Sequence, residues 1–194
     1  MADVATAEWS LPEHWWGWPH GDPSRPEPMS SPHGLGDHGR ERVLAAVSKF
    51  DILIDRDLPG TSLAALWAPP HSNGEPVACA VLRVFASTPA VGPRVEAVLE
   101  RARTEVTVPP GVRLLDVAAL PGAVTAGDAV VQIVDTATRF RRRVTREWSW
   151  FILAPGTDDL VLVHVESSSV AHFDALADMA TDIANSVELT LART

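Results

Sequence analysis

Apolar and polar positions recur with two different periods along this chain, and each change of period marks an element. In residues 40–49 (RERVLAAVSK) Val43, Leu44 and Val47 fall on one stripe and predict a short helix. The next segment, FDILIDRD, sets Ile52 and Ile54 against Asp51, Leu53 and Asp55, an alternation that predicts a strand. Pro59–Gly60 turns the chain, and LAALWA supplies a second strand. Residues 77–86 (VACAVLRVFA) are almost entirely apolar, as a strand covered on both faces would be. After Pro93, placed as a first-turn proline, Val95, Val98, Leu99, Ala102 and Val106 recur at helical spacing until Pro109–Pro110–Gly111 stops the run. Strands are expected at 112–119, 129–138, 144–154 and 160–167, the last two joined by the hairpin loop Pro155–Asp159. A final helix, capped by Ser168 or Ser169, carries Phe173, Leu176, Ala180, Ile183 and Val187 on its apolar stripe. Asp174, Asp178 and Asp182 line another side of it.

Strands that follow one another through short turns make a largely antiparallel sheet, and the amphipathic helices must cover it. The expected fold is therefore α+β, an α/β/α sandwich formed by residues 40–194. Residues 1–39 read differently. Six prolines and five glycines interrupt them, so neither period survives, and the segment is expected to be an extended arm rich in Trp, Pro and His. Within it stand Trp15, Trp16 and Trp18. An indole left in water forgoes a few kcal/mol of burial, so these rings are expected to dock on something, either this domain or a partner.

The order of elements from FDILIDRDLPG to HFDALADMATDIANSVEL resembles the PsbP-like fold, a group that includes the Ran-binding Mog proteins and the actinobacterial LpqN-type proteins. The segments that carry the resemblance are the opening FDILIDRDLPG strand and turn, the AVGPRVEAVLERARTEV helix, and WSWFILAPGTDDLVLVHVESSS with the helix ending in IANSVEL. The likeness implies a small binding or accessory domain that docks on a larger protein. It brings no catalytic signature.

Charge narrows the partners. Sixteen Lys+Arg against 25 Asp+Glu leave a net charge of −9, which disfavours nucleic acid. The run Arg139, Phe140, Arg141, Arg142, Arg143 is the exception, and in so acidic a chain it suits contact with an acidic protein segment, its own or foreign. No apolar run reaches the ~20 residues of a membrane helix, and the first residues lack a basic and then apolar leader, so the expected compartment is the cytosol. One cysteine, Cys79, excludes an internal disulfide.

Candidate chemistry changes little. Gly34, Gly36 and Gly39 spell G-x-G-x-x-G without the preceding strand that a dinucleotide site requires, so no cofactor is expected. His14, His20, His33 and His38 lack evident support for a metal, and Trp15–Trp16–Gly17 matches W-x-G by accident. His164 and His172, near Ser167, Ser168 and Asp174, are expected to be structural, because a triad needs convergent geometry. Two functions stay open. The first is a non-enzymatic accessory domain that engages a protein partner through Trp15, Trp16 and Trp18, with Arg139, Arg141, Arg142 and Arg143 steering the approach. The second is a protein that binds a small molecule or ion between sheet and helix, with Trp67, Trp148, Trp150 and Phe151 as walls and Arg146 as the anion anchor.

Overall fold

The computed structural model describes residues 2–21, 35–86, 95–138 and 143–192. Nine strands and three helices follow in the order β1 (Val4–Glu8), β2 (Trp15–Pro19), α1 (Asp37–Asp57), β3 (Thr61–Trp67), β4 (Ala78–Phe85), α2 (Val95–Thr104), β5 (Val112–Val124), β6 (Gly127–Thr138), β7 (Val144–Leu153), β8 (Leu160–Ser167), α3 (Phe173–Asn185) and β9 (Glu188–Leu191). Seven strands form one sheet in the order β2-β3-β4-β8-β7-β6-β5, and every neighbouring pair is antiparallel. A ribbon of β1 and β9 lies apart from it. The α/β/α sandwich expected from the periodicity is the fold observed.

Alternation along the central strands builds both faces. Trp148, Trp150 and Ile152 of β7 point the same way as Val161, Val163 and Val165 of β8, and α3 covers them with Phe173, Leu176, Ala180 and Ile183. On the opposite face α1 sets Val43, Val47 and Ile54 on Ala64, Leu66 and Val81. α2 covers that same face further along, where Val98 and Ala102 meet Ala119 and Val130. Gln132 Nε2 donates to the Ala102 carbonyl at 2.6 Å and ties α2 to β6.

Two expectations are corrected here. Residues 50–57 continue α1 instead of forming a strand. Ile54 lies eleven residues after Val43 and on the same side, whereas Ile52 is 67% exposed. An alternation of only two isoleucines fits a helix as well as a strand, and a helix already nucleated by RERVLAAVSK extends at small cost per residue. Pro59–Gly60 then ends it, with Leu58 N–H returning to the Ile54 carbonyl.

The second correction concerns the arm. Trp15, Trp16 and Trp18 are buried, at 2%, 1% and 3% exposure, as the edge strand β2. Trp16 lies across from Leu66 and Trp18 from Ala64, and the small residues Ala64, Ala65 and Ala68 leave room for the indoles. Trp18 Nε1 donates to Asp51 Oδ1 at 2.9 Å, while His20 reaches Asp51 at 3.3 Å and Asp55 at 3.0 Å. These contacts fasten β2 to α1. A boundary at residue 39 therefore cuts through the sheet, the β1–β9 ribbon and the first turn of α1, and the three rings are not free to anchor a partner.

Candidate functional site

Helix α1 has a second stripe. Arg42, Ala45, Ala46, Lys49, Phe50 and Leu53 recur at i, i+3, i+4, i+7, i+8 and i+11, a second face of the helix that lines a cleft beside it. Between this stripe and the ends of β4 and β8 opens a cleft of about 740 Å³. Leu66, Cys79 and Glu166 stand side by side in register across β3, β4 and β8, and all three line the cleft. The turn from Gly74 to Val77 forms one wall, and Arg143, Ser167 and Ser168 form the far rim. Gly74 is required there: its φ is +80°, and an added Cβ would run into the Gly39 carbonyl, where α1 crosses the turn. Gly39, the last glycine of the G-x-G-x-x-G string, thus serves helix packing.

The lining is apolar with a charged rim. Arg42 and Lys49 lie on the helix side, Arg143 opposite, and Glu75 and Glu166 between them. Arg143 Nε donates to Ser168 Oγ, which holds the guanidinium at the rim. Part of the Glu166 side chain reaches water, yet burial of its carboxyl raises the pKa, against the lowering effect of Arg143. Glu147, directly across from Glu166 on β7, is pushed up to about 7 by burial and then by the Glu166 charge. Burial, reinforced by Glu166 and Glu147, also pushes the Cys79 thiol well above its ordinary range, which keeps it protonated and a poor nucleophile.

Two register positions along, on the same face, Ser149 Oγ and His164 Nδ1 are 3.0 Å apart. Burial, and then Arg83, pulls His164 down to about 4, so the ring is neutral and can accept from the hydroxyl. Serine chemistry also needs a group orienting the histidine and donors for an oxyanion. Among the described residues His164 has no hydrogen-bonded carboxylate, and Ser149 is 6% exposed. The pair is a satisfied polar contact in the sheet. The residues once grouped around His172 are also apart in role. Ser167 Oγ donates to the Val77 carbonyl at 2.6 Å, and His172 lies between Ser169 Oγ at 2.8 Å and His71 Nε2 at 3.1 Å. Among the described residues no three His, Cys, Asp or Glu side chains converge as a metal site.

The cleft opens on the other face from Trp67, Trp148 and Trp150, whereas Phe151 shares its face but packs in the α2 cluster. Trp148 and Trp150 are filled over by α3, and Trp67 is stacked with Trp15 and meets the edge of His172. Arg146 gives Nε and Nη2 to the two oxygens of Asp135, at 2.7 and 2.6 Å, and lies over the Phe173 ring. Its Nε–Nη2 fork is thus committed to Asp135. Of the arginine run, Arg143 belongs to the cleft, whereas Arg139, Arg141 and Arg142 fall outside the described residues. The residues that the sequence reading missed are Arg42, Lys49, Phe50 and Leu53. Their stripe becomes visible only when 50–57 is read as helix.

No family model and no curated protein matches this chain. A solved structure does: the crystal structure of LpqN, involved in cell envelope biogenesis of Mycobacterium tuberculosis. The two superpose with a TM-score of 0.52 over 95% of this chain and 83% of LpqN, at 13% identity. The chain resembles LpqN in fold. The resemblance to the LpqN and PsbP-like group read from the order of elements is thereby seen in three dimensions, although its opening segment is a helix. The cytosolic expectation is corrected by this comparison: the solved protein that shares the fold is one involved in cell envelope biogenesis. No helix among the described residues is long and apolar enough to cross a membrane.

Proposed function

We propose that this chain is a non-enzymatic binding domain that seats an acidic segment of a protein partner in the cleft between α1 and the ends of β4 and β8. The observation that carries this reading is the composition of the cleft. In a chain of net charge −9, its only lysine, Lys49, together with Arg42 and Arg143, outnumbers Glu75 and Glu166 around an otherwise apolar lining. Such a rim attracts an acidic segment over a distance of ~8–10 Å at moderate salt, and the apolar stripe of α1 gives it surface to bury. The sequence sets three more arginines, Arg139, Arg141 and Arg142, just before Arg143, which adds to the attraction. The role first assigned to the tryptophans passes to Phe50 and Leu53, the latter 43% exposed. A small anionic ligand would use the same cleft, whose volume falls in the ~300–1,000 Å³ range of small-molecule sites.

The test is capture from the lysate of the native host with full-length protein and with the double variant K49E/R143E, read by mass spectrometry. Acidic proteins held by the wild type, released by added salt and lost by the variant are expected. Equal recovery by both baits overturns the assignment of the cleft. An empty wild-type lane, with tryptophan fluorescence that answers to small anions, transfers the cleft to a small ligand.

A further inference from the structure

Strand β5 is the outer strand of the seven-stranded sheet, and among the described residues its thirteen-residue outer edge is unpaired. A free edge is a row of backbone donors and acceptors ready for another strand. Its first half reads Val112–Arg113–Leu114–Leu115–Asp116–Val117, and this hexapeptide is complementary to itself when two copies run antiparallel. Val112 then meets Val117, Leu114 meets Leu115, and Arg113 meets Asp116 in both directions.

The fold supports that pairing in three ways. First, the register between β5 and β6 shifts between Leu114 and Asp116, so Arg113 lies across from Ala137 and Asp116 from Asp135. Ala137 and Asp135 are two apart on β6, so the bulge puts Arg113 and Asp116 on one face of the sheet. Without it they would point to opposite faces and could not meet across a two-fold axis. Second, Asp116 faces Asp135 directly, a like-charge pair that disfavours both. Asp135 takes both bonds from Arg146, and among the described residues the hydrogen bond of Asp116 is to the Val117 N–H, at 2.9 Å. Arg146, whose charge also acts on Asp116, gives its hydrogen bonds to Asp135, and among the described residues no cation is hydrogen-bonded to Asp116. Third, the leucines of the segment are turned to water, Leu114 at 39% and Leu115 at 47% exposure. Pro121, which cannot donate a ladder bond, lies beyond the six residues and does not interrupt them.

We infer that this chain associates with a second copy of itself through the edge of β5, as an antiparallel pair over residues 112–117 locked by two reciprocal Arg113–Asp116 ion pairs. The occupant is a second copy because charge and apolar pattern match this strand to itself. Six paired residues on each side make an interface below standard size, so the dimer forms reversibly and depends on concentration.

Sedimentation velocity on the full chain over a range of concentrations tests it, with R113D, D116R and the double swap R113D/D116R. Both positions are exposed, and circular dichroism with thermal melting confirms that each variant is folded. The wild type and the double swap should dimerise. Each single swap turns two attractions into two repulsions and should weaken association about tenfold or more. An equimolar mixture of R113D and D116R should recover a dimer that neither forms alone, because the mixed pair is again complementary. A wild type that stays monomeric at every concentration overturns the inference and leaves the edge to a foreign strand. A dimer indifferent to all the swaps overturns it too, since another surface would then be holding the copies together.

Discussion

Replacing Glu147 with Gln should stabilise the protein by an amount that grows as pH rises from 4.5 to about 7 and is full above that. Glu147 lies in β7 between Val134 of β6 and Glu166 of β8, and burial followed by the Glu166 charge lifts its carboxyl from 4.5 to about 7. A carboxyl raised in the folded state holds its proton there while the unfolded chain has released it. Stability is therefore full below 4.5 and is lost as pH rises through about 7. At about 1.4 kcal/mol per unit the whole shift corresponds to about 3 kcal/mol. Glu147 is partly open to water, and screening there reduces the expected loss to roughly 1–2 kcal/mol. His164, two register positions along the sheet, works in the opposite sense. Its ring is pulled from 6.5 to about 4, so its contribution is full above 6.5 and is lost as pH falls through about 4. Between 4.5 and 6.5 the two oppose each other, and the wild type hides both. The assay is urea denaturation of wild type and E147Q between about pH 5 and about pH 8.5. The two should nearly coincide at the acid end, and E147Q should be ahead by about 1–2 kcal/mol at the alkaline end, or some 2–8 °C in melting temperature. A difference that is constant across the range, or a variant less stable at alkaline pH, would refute the argument that Glu147 carries an unfavourable buried charge.

Two further outcomes follow from buried groups. Trp16→Ala should cost ~3–5 kcal/mol, because the ring fills the space over Leu66 under α1. Trp16→Phe should be milder than Trp18→Phe. The Trp16 indole N–H has no partner among the described residues, whereas Trp18 Nε1 loses its bond to Asp51, and thermal melting of the pair decides the order. Cys79 should react with a disulfide reagent far more slowly in the native protein than in urea, since burial and the two glutamates disfavour its thiolate. Equal rates would show that the cleft floor is open and the thiol ordinary.

Local pattern was sufficient where one face of an element meets one neighbour. Trp148, Trp150 and Ile152 alternate in β7, and Phe173, Leu176, Ala180 and Ile183 repeat in α3, and each set is buried against the other. β1 and β9 escaped because five and four residues carry too little period to register, and they are strands only through each other. β2 escaped for another reason. Its tryptophans were correctly read as rings that must leave water, but a burial requirement does not say which surface satisfies it. The answer lay in Ala64, Ala65 and Ala68, whose smallness makes a slot for indoles and is silent in a periodicity.

The cleft depends on residues 50–57 being helix instead of strand. Once residues 50–57 are helix, Asp51 and Asp55 come within reach of Trp18 and His20, so α1 is fixed to β2 by its polar side chains. A helix held there lies over the β2–β4 end of the sheet, and α2 covers the same face further along. The lateral stripe from Arg42 to Leu53 then has an apolar floor to face and no helix opposite. The arm expected to be the docking element is thus what positions the cleft for which docking is proposed. A variant that loosens β2 should disturb binding in the cleft without touching a residue that lines it.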